Sequence, residues 1–270
     1  MVGSLTISSI IFMIVVSILV PIGSLIYLKK RVTMIPWKPV LIGVLIFIVF
    51  SQMLEKFLNV YILNINPYTS AWFNNPYLYA LYGGLAAGIF EELGRFIGFY
   101  YLLKNDREWK HGIAYGIGHG GIESILIGVF GGIQFLTLSF LINSGQFNTL
   151  LNLHDKSDSS LLMIKEHLIN QPTFFLLGGI ERIFSFVIQL SLSLLVLYAI
   201  RNKKIRFLLY AILIHTSVDF FALISQKFQL SPFFVEGILF IMMIFSWIHI
   251  IKSKLWFSKT SAGNSNNQSL

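Results

Sequence analysis

Long apolar runs separated by short polar intervals dominate the chain. Seven of them approach the ~20 residues an α-helix needs to cross a bilayer: about 5–28, 39–60, 77–103, 112–142, 172–200, 206–226 and 231–251. The fourth is longer than one crossing, and Gly131-Gly132 offers a place for it to break, which would add an eighth element. The pattern predicts an all-α, polytopic transmembrane helix bundle of about seven helices, eight if the fourth run divides. It forms one unit over residues 1–257, and the Ser/Asn-rich tail 258–270 is expected to be disordered.

Composition agrees. The chain of 270 residues is 55% hydrophobic and 12% charged, which belongs to a multi-pass membrane protein of the cell membrane rather than a soluble domain. With no Cys, disulfides, thiolate metal ligands and a cysteine nucleophile are excluded. The first run is too long for a signal-peptide core and is followed at once by Lys29-Lys30-Arg31, so it reads as a retained helix.

Charge then sets an orientation. The intervals 29–38, 104–111 and 201–206, with the residues after 251, hold fourteen Lys and Arg; the opposite intervals hold only Lys156, Lys165 and Lys227. The positive-inside rule places the N-terminus outside and the C-terminus inside, in keeping with an odd number of crossings. The net charge of +8 is therefore spread along a membrane edge and gives no footprint for nucleic acid. In the one long polar interval, 143–171, Leu161, Leu162, Ile164, Leu168 and Ile169 are spaced for a short helix lying on the outer surface. No internal repeat is visible.

Three ionisable clusters interrupt the apolar runs: Glu91-Glu92-Leu93-Gly94-Arg95, His119-Gly120-Gly121-Ile122-Glu123 and His215-Thr216-Ser217-Val218-Asp219. A charged side chain near the bilayer centre costs about 2.5–3.5 kcal/mol even on the mildest scale, so such groups mark function. At 1.5 Å per residue, Glu91, His119 and His215 lie roughly 18, 12 and 14 Å from the inner ends of their helices. Glu91/Arg95, His119/Glu123 and His215/Asp219 are i,i+4 pairs, each on one helix face, whereas Glu92 points about 100° away from Glu91. Glu91 is thus expected to face a water-filled site while Glu92 bonds a neighbouring helix. Thirteen of the 21 Gly fall between 83 and 132 and are expected to bring the third and fourth spans together. Glu55, Lys56 and Glu236 lie near helix ends, where snorkelling to the interface explains them. Glu181-Arg182 reads as a structural ion pair or a fourth contributor to the site.

These groups can activate water: a carboxylate as general base, with His and Asp placing the water or holding an oxyanion. No HExxH helix is present. His119, Glu123 and His215 could still hold zinc or another divalent ion. The same groups also suit ion or proton translocation, and composition and spacing leave the two uses open.

The motifs carry a resemblance. Glu91-Glu92-x-x-Arg95, Tyr115-x-x-x-His119 and His215-x-x-x-Asp219, in this order on successive helices, resemble the glutamate-dependent intramembrane proteases that include the CAAX prenyl endopeptidases, bacteriocin-immunity-type proteases and PrsW. The Gly118–Glu123 block is most similar to the YhfC branch, described as intramembrane metalloproteases. The resemblance implies an endopeptidase in which Glu91 activates water, His119 binds that water or the oxyanion, His215 and Asp219 complete the site, and Arg95 tunes the Glu pair. Arg95 follows the first Glu by one residue fewer than in the CAAX-type motif, so the motif does not say whether Glu91 or Glu92 is the base. Glu123 has no counterpart there. The implied partners are membrane lipid and a membrane-embedded or lipidated peptide substrate, met in a cavity reached from the inner leaflet. An ion-coupled transporter and a non-catalytic immunity or scaffold protein are the alternative readings. A carrier would need polar groups across both leaflets, and the outer half offers mainly Glu181 and Arg182.

Overall fold

The computed structural model describes residues 1–31, 34–153 and 159–266. Among these, the regular structure is helical throughout. Ten helices follow in order: α1 (Ser4–Arg31), α2 (Trp37–Ile65), α3 (Pro67–Trp72), α4 (Pro76–Ile97), α5 (Trp109–Asn143), α6 (Phe147–Leu153), α7 (Ser159–Asn170), α8 (Pro172–Arg201), α9 (Arg206–Lys227) and α10 (Pro232–Asn266). Six are long and apolar enough to cross a membrane: α1, α2, α5, α8, α9 and the stretch Pro232–Ser258 of α10. The expected third span is α4, which is 22 residues long and extended by a π-helical turn at Gly98–Leu102. Its Glu91, Glu92 and Arg95 put three charged residues within little more than one turn.

Local chemistry explains the ends. Pro67 and Pro76 sit in the first turns of α3 and α4, where a missing N–H costs nothing, and the side chains of Asn66 and Asn75 accept from the free amides that follow. α5 differs from expectation: it runs unbroken through Gly131-Gly132 for 35 residues. Irregularity falls just before them, in a π-helical stretch at Ile125–Phe130, and Gly132 serves instead to admit Ile14 of α1. α2 carries π turns at Ile48–Glu55 and Tyr61–Ile65. Such turns rotate the side chains that follow and gather at functional sites.

The segments rich in Lys and Arg meet at one end of the bundle. Lys38 pairs with Asp106 at 2.8 Å, Arg107 donates to the Phe99 and Tyr100 carbonyls, and Trp109 Nε1 donates to Ser253 Oγ at 2.9 Å. Toward this basic end lies the main apolar core, in which Phe99, Leu103, Tyr115, Leu194 and Leu197 are fully buried. At the opposite end a second cluster joins Val2, Ile10, Leu138, Leu168 and Phe175. α7 seals it with Leu161, Ile164, Leu168 and Ile169, as its apolar spacing predicts, while Leu162 stays exposed. The polar tail expected to be disordered is entered by α10, and 267–270 lie outside the described residues.

α8 is the central helix: 67% of its apolar stretch is buried, against 11–28% in the other long apolar helices. Lipid is as apolar as leucine, so close packing and polar contacts, rather than the hydrophobic effect, hold such helices together. Glycine serves this, though not between the expected partners. α4 packs on α9, and α5 on α2 and α8, instead of α4 on α5. A Cβ on Gly84 would come within 2.6 Å of the Thr216 carbonyl oxygen and 2.9 Å of the Phe220 nitrogen, both on α9.

Candidate active site and metal centre

The three clusters converge at one point between α4, α5, α8 and α9. Glu91 Oε2 lies 2.8 Å from His119 Nε2 and 3.4 Å from an Arg95 nitrogen, with His215 Nε2 at 3.9 Å. Glu92 Oε1 accepts from Arg95 at 2.7 Å and lies 2.6 Å from His215 Nδ1. His215 Nε2 is 3.5 Å from Asp219 Oδ2. The expected division between the two adjacent acids is present in the geometry. Glu91 lines a cavity of about 180 Å³; Glu92 is wholly buried and is bonded to the neighbouring helix α9 through His215.

Arg95 is the counter-charge to both. No part of it reaches solvent, and its guanidinium is divided between Glu92, Glu91 and the Gln189 side-chain oxygen. A buried guanidinium is tolerable only when paired in this way. Gln189 is the residue that the motifs do not reveal. Its amide nitrogen donates to Glu123 Oε2 at 2.5 Å and to Glu91 Oε2 at 3.4 Å, while its oxygen accepts from Arg95. This orientation alone matches donors to acceptors on all three sides. Ser185, one turn away on α8, donates to Glu123 Oε1 at 3.0 Å. The signal for Gln189 is its position as the one amide in the apolar run Phe184–Leu197.

Aromatic rings close the cavity toward the basic end. Phe47 meets the His119 ring edge-on at 5.1 Å, and Tyr115, the aromatic four residues earlier, lies nearly parallel to it at 6.0 Å. The Tyr115 hydroxyl has no hydrogen-bond partner, and its ring backs His119 without lining the cavity. Glu181 and Arg182 pair with each other, and neither lines the cavity.

The donors that could hold a metal are Glu91, His119 and Glu123, whose ligand atoms all lie within 4.8 Å of one another. Two expected ligands, His119 and Glu123, are therefore together, but the third is Glu91. His215 lines the same cavity, with Nδ1 bonded to Glu92 and Nε2 3.9 Å from Glu91 Oε2, but lies outside that group of three. One imidazole and two carboxylates suit zinc or a similar divalent ion, with room left for water. His119 Nδ1 and Glu92 Oε2 are both buried without a hydrogen-bond partner, an unusual state for so polar a core.

Known proteins match the chain over most of its length. Residues 16–239 match the family described as YhfC intramembrane metalloprotease, a span that contains every residue of the cluster. The chain is 41% identical over 213 residues, 78% of this chain and 82% of the relative, to a Bacillus subtilis (strain 168) protein described as "Uncharacterized membrane protein YhfC". No solved structure matches the chain. The match over most of the bundle and the ordered Glu-Glu, His and His–Asp motifs within it lead to one conclusion: this multi-pass membrane protein belongs to the YhfC intramembrane metalloprotease family.

Proposed function

We propose that the chain is an endopeptidase hydrolysing a peptide bond inside the membrane, with a water activated at Glu91 and His119. One observation carries this reading: Glu91, held 2.8 Å from His119, lines a cavity that Glu123 and Asp219 also face, deep in an apolar bundle. A carboxylate there is the natural general base. Arg95 contacts Glu92, Glu91 and Gln189, and Arg95, Glu92 and Gln189 act in positioning Glu91, Gln189 from the wall of the cavity itself. His215, fixed by Glu92, presents Nε2 toward Asp219 and Glu91, where it can donate to the oxyanion that forms as water adds to the carbonyl. The proton taken by Glu91 then passes to the departing amine.

Glu91, His119 and Glu123 would hold a metal. Such an ion lowers the pKa of bound water and polarises the carbonyl. The Gln189 and Ser185 contacts to Glu123 would orient that ligand, and Phe47 and Tyr115 would keep the imidazole in place.

The bundle topology belongs to the same proposal: seven crossings, with α4 as the third, the N-terminus outside and the basic end inside. The broader superfamily of glutamate-dependent intramembrane proteases fits the motif order. The substrate would be a membrane-embedded or lipidated peptide.

The test uses purified protein and a candidate membrane peptide. Glu91→Gln and His119→Ala should each abolish cleavage while keeping the wild-type circular dichroism spectrum. Folded variants that cleave at the wild-type rate would sink the assignment. Metal analysis of the same samples separates chemistry by glutamate alone from metal-assisted chemistry.

A further inference from the structure

A second cavity, of about 310 Å³, is lined by Glu55, Asn59, Tyr82, Ala87 and Asp219. Asp219 also lines the 180 Å³ cavity beside Glu91, so the two meet at one side chain. Snorkelling is the ordinary account of Glu55, but the structure turns it inward. Asn59 donates to Glu55 Oε1 at 3.1 Å and accepts from the Tyr82 hydroxyl at 2.7 Å. The π turn Ile48–Glu55 places Ser51 and Gln52 on the inner cavity and Glu55 on the other, one above the next. The result is a continuous series of polar walls from Tyr82 through Asn59, Glu55 and Asp219 to His215 and Glu91.

We propose that this series is the route by which water reaches the site, and that it opens at the end opposite the basic loops. The proposal rests on the peptidase reading for its purpose, since hydrolysis consumes one water per bond in a place lipid keeps dry. The geometry gives the direction. The outer cavity is also lined by Leu63 and Tyr79, within three residues of the ends of α2 and α4 at that side. Asp219 lies eight residues before the end of α9, roughly 12 Å in, and Glu91 fifteen residues into α4, roughly 22 Å. Exposure falls along this path, from 32% for the Asp219 side chain to 5% for His215 and 7% for Glu91. Beyond them Phe47, Tyr115, Phe99, Leu194 and Leu197 are 0–2% exposed and close the basic end. Ionisable groups within a membrane line water-filled cavities and mark pathways, and here the polar groups that line the two cavities run from the catalytic pair toward one end, while at the other Arg95 is sealed in behind apolar side chains. Water by this route and a peptide entering from the inner leaflet would reach the site from opposite sides. A larger cavity of about 540 Å³ also touches the site through Ile188 and Val218, but its walls are mainly Leu, Ile and Phe and offer water little.

The absence of Cys makes the test direct, because any introduced thiol is unique. The full chain in proteoliposomes carries Ala87→Cys or Ser51→Cys, with Asn74→Cys and Asn202→Cys marking the two ends. A small, charged, membrane-impermeant methanethiosulfonate is added to one side at a time. Ala87→Cys and Ser51→Cys should react from the side of Asn74→Cys. Ala87→Phe, which fills the outer cavity, should slow the reaction of Ser51→Cys severalfold. The proposal is overturned if Ser51→Cys reacts from the Asn202→Cys side, reacts from neither side in folded protein, or ignores a folded Ala87→Phe plug. Should the plugged variant not fold, the sidedness of Ser51→Cys still decides. Labelling requires no turnover, so a chain that labels as expected but cleaves nothing defeats the peptidase reading and leaves the water route standing.

Discussion

Replacing Arg95 with Met should unsettle the protein more than any other single change in the site. The side chain is fully buried and holds Glu92 at 2.7 Å, Glu91 at 3.4 Å and the Gln189 oxygen. Met keeps the length and apolar volume but leaves two carboxylates, 0% and 7% exposed, without their counter-charge. Removing one partner of a buried ion pair costs about 3–5 kcal/mol, because the remaining charge is stranded. At about 2–4 °C per kcal/mol for soluble chains somewhat shorter than this one, the unfolding midpoint should fall by roughly 6–20 °C. The assay is thermal unfolding of the detergent-purified variant, followed by circular dichroism. The decisive arm is the pair Arg95→Met with Glu92→Gln. Glutamine removes one stranded charge, so the double variant should be less unstable than the two single losses summed, by about 0.5–3 kcal/mol. A loss below about 1 kcal/mol for Arg95→Met, or strict additivity of the pair, would refute the view that Arg95 neutralises the acids.

Glu123→Gln should reduce bound metal, measured by mass spectrometry of the purified protein, while Asp219→Asn should leave metal content unchanged; equal losses would remove Glu123 from the ligand set. Gln189→Leu should slow cleavage, because it frees Glu123 and Glu91 from a shared donor; an unchanged kcat would count against its positioning role. Gly84→Val should prise α4 from α9 at Thr216 and Phe220, lowering both folded yield and thermal stability, and wild-type behaviour would show that this contact yields cheaply.

Local signals read well from the sequence; relations between helices did not. The apolar runs and the spacing of α7 are properties of neighbouring residues, and each has its counterpart in the structure. The i,i+4 rule put Glu91 with Arg95, and His119 with Glu123, on common faces, and helix depth brought Glu91, His119 and His215 to one level. What it cannot supply is which helix faces which. The glycines of α4 were assigned to α5, yet Gly84 and Gly88 face α9, and α5 uses its own glycines against α1, α2 and α8. The same gap hid Gln189. A lone amide in an apolar helix has no motif, and only the approach of α8 to α4 and α5 gives it three charged partners. Glu55 was read from its position along the helix, which says nothing of the π turn that aims it inward.

The arrangement also explains why two adjacent acids serve better than one. A buried carboxylate oxygen tied by two close partners is held in place, which describes Glu92 Oε1 between Arg95 and His215. Glu91 has looser ties: its one short contact is to His119, and Arg95 and Gln189 stand at 3.4 Å. Adjacent residues on a helix differ by about 100°, so one can face α9 while the other faces the cavity, and a single guanidinium can reach both. Glu92 thereby fixes His215 and Arg95, and Arg95 in turn offsets the charge of Glu91 without capturing it. Exchanging the two roles would require α4 to rotate by that angle, which the close contact at Gly84 and Gly88 with α9 prevents. On this reasoning Glu92→Gln should leave residual cleavage that Glu91→Gln does not, and equal loss in two equally folded variants would mean that the acids share the base's work.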